Sequence, residues 1–157
     1  MLVRGLAIAT AIAALTACSS SVPLAPGAAR VSAFTPTLVG AWEVTASRAK
    51  GVGKNLLTFS SDGTFFRSGD AHPVVSGGHG AWKRTGPNQF NASYVSFTFD
   101  PSGKWVGVNR NNLQLTLAED GNGFQGTVKS SNRDLEDKVV STTTSPLAGK
   151  RIQVQDF

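Results

Sequence analysis

Turn-forming clusters punctuate this chain at short intervals from residue 38 onward, and they leave room for strands but not for helices. Ser61-Asp62-Gly63-Thr64, Thr85-Gly86-Pro87-Asn88, Asp100-Pro101-Ser102-Gly103 and Glu119-Asp120-Gly121-Asn122-Gly123 all combine residues that accept tight or left-handed turns. The intervening segments are rich in aromatic and β-branched residues. None of them shows an amphipathic helical period.

Strands are expected over residues 38–45, 55–60, 64–68, 81–84, 90–99, 104–117, 124–130, 138–144 and 149–154. In the first, Leu38, Trp42 and Val44 share a face with Gly40, while Glu43 and Thr45 fall on the other. Residues 51–54 read as a hairpin loop, residues 69–80 as a long Gly-rich loop, and Ser145-Pro146 as a strand break. The segment 104–117 changes phase: Val106 and Val108 have one parity, Leu113, Leu115 and Leu117 the other. A bulge near residues 109–112 would reconcile them. A meander of this kind must protect its edges, and closure is the usual route. The expected fold is all-β, an eight-stranded antiparallel up-and-down barrel over residues 37–157.

The N-terminus carries a different signal. Arg4 precedes an apolar run over residues 6–15, too short for the roughly 20 residues of a membrane-spanning helix. It ends in Leu15-Thr16-Ala17-Cys18, which resembles the lipobox of bacterial lipoproteins. The resemblance implies a signal peptide over residues 1–17 and a lipidated Cys18. Residues 18–36, rich in Ser, Ala and Pro, would form a flexible tether. The protein would then be exported and anchored to the cell envelope. Ser19, where Asp would signal inner-membrane retention, implies the outer membrane facing the periplasm in a Gram-negative source. An ordinary secretory signal would instead leave Cys18 a free thiol. It is the chain's one cysteine, so no intrachain disulfide can form.

The 15 Lys and Arg against 10 Asp and Glu give a formal charge of +5, and +4 once Arg4 is removed with the signal. The basic residues are spread out, with only Lys83 with Arg84 and Lys150 with Arg151 adjacent. No basic stripe interleaved with aromatics appears, which argues against nucleic acid.

Gly40-Ala41-Trp42 resembles the Gly-x-Trp signature of the lipocalin and calycin barrels. Arg151, on the final strand, resembles the arginine those families lay across that tryptophan. The segment from Gly78 to Gly86, with Phe90 and Phe97-Thr98-Phe99-Asp100, is similar to exported, uncharacterised bacterial lipocalin-like proteins over roughly residues 38–152. The likeness implies a lipocalin-like barrel, with Gly40, Trp42 and Arg151 closing one end, and brings no activity.

Chemistry-bearing motifs are sparse. His72 and His79 bracket one loop segment, and with Asp70 they are the available metal ligands. Their spacing matches no strong motif, so no metal is expected, and a solvated loop is the plainer reading. A single histidine could instead ligate haem, as in haem-binding barrels that this fold resembles. Asp100, Glu119, Asp120, Asp134, Glu136 and Asp137 lie in turns. There is no Gly-x-Ser-x-Gly elbow, and Gly51-Val52-Gly53-Lys54 lacks the spacing of a phosphate loop. No enzyme activity and no cofactor are expected. Phe66, Trp82, Tyr94, Phe97, Phe99 and Trp105 are the candidates for contacting a small hydrophobic or lipidic ligand inside the barrel. Phe97 and Phe99 have opposite parity to Tyr94, so some of these rings must point outward. Outward rings, with the loop over residues 69–80, would serve a second reading, a protein-interaction module such as an envelope-assembly or inhibitor lipoprotein. The protein is expected to be a monomer. A third, a barrel-cyclase-like enzyme, would need a buried polar cluster.

Overall fold

The computed structural model describes residues 35–48, 51–71 and 73–156. The expected signal peptide, Cys18 and almost all of the expected tether lie outside these residues.

Eight strands follow one another: β1 (Gly40–Arg48), β2 (Gly51–Phe59), β3 (Thr64–Gly69), β4 (Val75–Arg84), β5 (Gln89–Phe99), β6 (Trp105–Leu117), β7 (Gly123–Arg133) and β8 (Val139–Arg151). Each pairs antiparallel with the next, and β8 pairs with β1 from Trp42↔Arg151 to Ala46↔Leu147. The result is the expected all-β, closed, up-and-down barrel of lipocalin-like form. Closure pairs every strand on both sides over part of its length, while β8 from Val139 to Pro146 extends past the end of β1's ladder.

The turn chemistry behaves as its residues dictate. Gly63 takes a φ of +86° in the β2–β3 turn, where its N–H donates to Ser60 O at 3.1 Å. Asp62 Oδ1 accepts from the Thr64 N–H at 2.8 Å, and Asp100 Oδ1 from the Ser102 N–H at 2.8 Å. These side chains stand in for backbone partners and fix the hairpins.

Alternation sorts the side chains. On the inner face, Trp42 and Val44 of β1 meet Leu57 and Phe59 of β2, Phe65 of β3, Phe90 and Ala92 of β5, Leu113, Leu115 and Leu117 of β6, Phe124 of β7 and Leu147 of β8. This core fills only one half of the barrel, the half nearest the start of β1.

Four local expectations are corrected. Residues 51–54 belong to β2 rather than to a loop, with Arg48 opposite Gly51. The expected loop over residues 69–80 ends early, because β4 begins at Val75. Its glycines are strand residues that admit close neighbours: a methyl group on Gly80 would strike the backbone of Ser93, and one on Gly78 the ring of Tyr94.

The third correction concerns β6, which has no phase change at residues 109–112. Its register against β5 runs unbroken from Thr116 to Gly107, and the irregularity lies between Gly107 and Trp105. Asn109 and Asn111 therefore face inward with Leu113, and Val108 takes the other face. Apolarity misleads here because the inner wall turns polar above Leu113.

Finally, β8 continues through Pro146. Arg151 N donates to Asn122 O beside β7 and Ile152 N to Ala41 O on β1, both at 2.9 Å, so alternate residues face the two neighbours. Pro146 belongs to the β1-facing set and sits just beyond the end of that ladder at Leu147. Its missing N–H removes no ladder bond.

Candidate functional site: a plugged end and a polar cup

The two ends of the barrel differ in chemistry. At the first, Trp42 is wholly buried, with its ring centroid 4.9 Å from that of Phe124. Phe59 and Phe65 stack at 4.5 Å, and Trp82 meets Phe59 edge-on and Phe90 at a tilt. The Trp42 indole N–H donates to Leu38 O at 2.9 Å, which holds the entering chain under the plug. Arg151 covers it from outside, its guanidinium 4.2 Å from the Trp42 ring centroid. The same guanidinium donates to Gly121 O at 2.8 Å, Val39 O at 2.7 Å and Thr37 O at 2.6 Å. Gly40 is required there: a side chain at that position would collide with Arg151, and its φ is +133°.

Beyond Leu57, Leu113 and Leu147 the interior opens into a cavity of about 350 Å³ that reaches the other end. Val44 and Val128 complete an apolar floor. Above it the wall carries Asn55, Arg67, Tyr94, Asn111 and Ser130, and then Arg48, Asn109, Asn132, Thr143 and Ser145. The cup thus combines a polar upper wall with an apolar floor.

Part of that polarity is satisfied internally. Ser130 Oγ donates to Asn111 Oδ1, and Asn111 Nδ2 to Asn109 Oδ1. Asn109 Nδ2 then donates to Asn132 Oδ1 at 2.6 Å, and Asn132 Nδ2 to Ser141 Oγ at 3.0 Å. The bonds run in one direction across β6, β7 and β8, an arrangement in which each polarises the next.

The opposite wall is different. Arg67 is 8% exposed. Its Nε donates to Asn55 Oδ1 at 2.9 Å and its NH1 to Ser76 O at 3.3 Å. Both acceptors are neutral. Gly69 makes space for this pair, since a methyl group there would strike the Arg67 guanidinium and the Asn55 oxygen. Nearby, the Ser96 hydroxyl is buried and has no hydrogen-bond partner among the described residues. Burial pushes the Tyr94 phenol above its ordinary pKa, partly offset by Arg67 and Arg48. The phenol is thus a neutral donor at physiological pH.

At the mouth, Arg48 pairs with Asp70 at 2.6 Å, and Asp70 Oδ2 accepts from the Lys54 N–H at 2.9 Å. The Lys54 N–H, followed by Arg48, holds the Asp70 carboxyl below the usual range. This contact ties the β1–β2 end to the chain between β3 and β4.

Of the six aromatic candidates, only Tyr94 lines the cup. Trp82 belongs to the plug, with its indole N–H donating to Ser60 O at 2.9 Å. Phe66 stands on the outer surface against His79, centroid to centroid 5.1 Å. Phe97 and Trp105 form an exposed edge-to-face pair at 6.0 Å near the rim, and Phe99 is half-buried at the end of β5. On β5 the cause of the correction is parity, since Phe90, Ala92, Tyr94 and Ser96 face inward; Trp82 faces inward but lies in the plugged half. His79 faces outward from β4, and His72 lies outside the described residues. Among the described residues no three His, Cys, Asp or Glu side chains gather as metal ligands.

Arg67, Asn55 and Asn111 were not among the sequence-derived candidates. Parity could have found them. Arg67 follows Phe65 by two residues, Asn55 precedes Leu57 by two, and Asn111 precedes Leu113 by two. Chemically, the described lining offers hydrogen-bond donors and positive charge above an apolar floor.

Comparison with protein-family models, with curated proteins and with solved structures finds no match for this chain.

Proposed function

We propose that this chain is a lipid-anchored cell-envelope protein whose lipocalin-like barrel holds a small lipidic or amphipathic molecule in its cup. One observation carries the reading: the barrel is plugged at one end and open at the other, with a cavity of about 350 Å³ between. A barrel serving only as a scaffold has no use for an inner wall of Asn, Arg and Tyr. The Asn side chains there are partnered within the wall. The Arg67 guanidinium keeps N–H groups without an acceptor among the described residues, and such groups are expensive to bury unpaired. Binding sites combine such orienting polar groups with apolar surface, here Leu57, Leu113, Val128 and Leu147. The stacking of Arg151 on Trp42 supports kinship with the lipocalin-like families, and the lipobox-like ending at Cys18 supports the anchor. On this reading the lipid holds the protein in the envelope, at the outer membrane facing the periplasm in a Gram-negative source.

Native mass spectrometry of the protein gently extracted from its own envelope tests the reading. A bound mass of small-molecule size is expected, released on unfolding. The bare lipidated mass alone in every preparation would count against it.

The exposed Phe97–Trp105 pair favours a second reading, protein docking at the rim. Photocrosslinkers placed at these two positions in intact cells would capture a protein partner if that reading holds.

A further inference from the structure

We infer that Arg67 is an anion-binding residue and that the ligand of the cup carries a single carboxylate on a short apolar body. The inference rests on the cup being a binding site, as proposed above.

The argument begins with charge. Arg67 is more than nine-tenths buried, and no carboxylate lies within 4 Å of its guanidinium among the described residues. A buried cation without a counter-charge is strongly disfavoured in a protein interior. The other cation lining the cup, Arg48, is already engaged by Asp70 at 2.6 Å. The Asp70 carboxyl feels both guanidiniums but touches only that of Arg48, so two cations share one anion and a net single positive charge faces the cavity.

Geometry gives the charge a direction. Asn55 takes the Nε hydrogen and Ser76 O takes one hydrogen of NH1. The guanidinium thus keeps N–H groups free, including both on NH2, and a planar fork of this kind suits a carboxylate. Gly69 carries no side chain that would crowd the guanidinium, and Gly78 leaves space for the Tyr94 ring and the Ser96 hydroxyl. The wall is cut to keep Arg67 in place with its donors available.

The count of charges selects the ligand class. A phosphate monoester carries about −1.5 to −2 at neutral pH, more than one guanidinium neutralises. A monocarboxylate matches the single charge. The floor of Leu57, Leu113 and Leu147 then receives the apolar part.

Calorimetric titration of the purified protein with octanoate, octan-1-ol and octyl phosphate tests this. Octanoate is expected to bind at least about tenfold more tightly than the alcohol, and more tightly than octyl phosphate. Arg67→Met is expected to bring octanoate down to the affinity of the alcohol, with Arg67→Lys between the two, and to leave the melting temperature of the free protein unchanged or higher. Equal affinity for octanoate and octanol, unaffected by Arg67→Met, would overturn the anion site and leave the cup reading standing. Tighter binding of octyl phosphate would overturn the carboxylate assignment. Failure of all three to bind would overturn the cup reading and the site with it. Should Arg67→Met fail to fold, the wild-type comparison of acid with alcohol still decides.

Discussion

The Arg67 guanidinium donates through Nε to the Asn55 amide oxygen at 2.9 Å, across adjacent strands on the inner wall of the barrel. Asn55 lies opposite Gly69 in the β2–β3 register, and Leu57 lies opposite Arg67. The guanidinium therefore leans along its own strand, away from the apolar floor and toward the mouth. A neutral acceptor orients the group without cancelling its charge. That distinguishes Arg67 from Arg151, whose guanidinium is spent on three carbonyl oxygens and an indole face. One arginine holds the barrel shut, and the other faces the cavity.

Replacing Arg151 with Ala should destabilise the protein by about 2–3 kcal/mol, since charged hydrogen bonds and a stacked indole are lost together. Lys should rescue little, because an ammonium cannot reach three carbonyls and also lie flat on a ring. Denaturant midpoints measure both. Octanoate affinity should change little in a folded Arg151→Ala variant, as the plug and the cup lie at opposite ends.

Gly80→Ala should cost about 1–3 kcal/mol, as expected where added volume forces backbone to move. The new methyl group would meet the Ser93 carbonyl, which the β4–β5 ladder holds in place. Gly78→Ala should cost less, because the obstructing Tyr94 ring can rotate. It should instead weaken ligand binding. Thermal melting with octanoate titration separates the two effects.

Asn111→Ala should destabilise by about 1–2 kcal/mol, since it strands a half-buried Ser130 hydroxyl and an Asn109 amide oxygen. The cost should shrink when Ser130→Ala is already present. A double-mutant cycle in urea measures that coupling.

Tyr94 gives a pH prediction. Its folded pKa is raised by burial above the ordinary value of about 10. Stability associated with the neutral phenol is intact below that ordinary value and is lost as pH rises through the folded pKa. Tyr94→Phe should flatten this alkaline decline. The chain has one tyrosine, so tyrosinate absorbance reads the group directly. Its midpoint should fall when the protein is unfolded in urea.

How much of this was legible in the sequence depended on which half of the barrel a residue occupies. In the plugged half, inward positions are apolar, so Trp42 and Val44 announce their face, as do Leu113, Leu115 and Leu117. In the cup the same parity carries Asn109, Asn111 and Arg67, and apolarity points the wrong way. Val106 and Val108 therefore suggest a phase change at residues 109–112, whereas the irregularity against β5 lies at residues 105–107, and the aromatic candidates fall mainly on the outer surface or in the plug. Gly78, Gly80 and Pro146 misled for another reason. Their turn chemistry is local, and a closely packed neighbour or a ladder that has already ended overrides it. The surest guide to Arg67 was Phe65, two residues away.

A crystal structure of the protein with octanoate bound tests the central claim most directly. The carboxylate should lie within hydrogen-bond distance of the Arg67 guanidinium, with the chain descending onto Leu57 and Leu113. Octanoate found on the outer Phe97–Trp105 face, with only water in the cup, would contradict it.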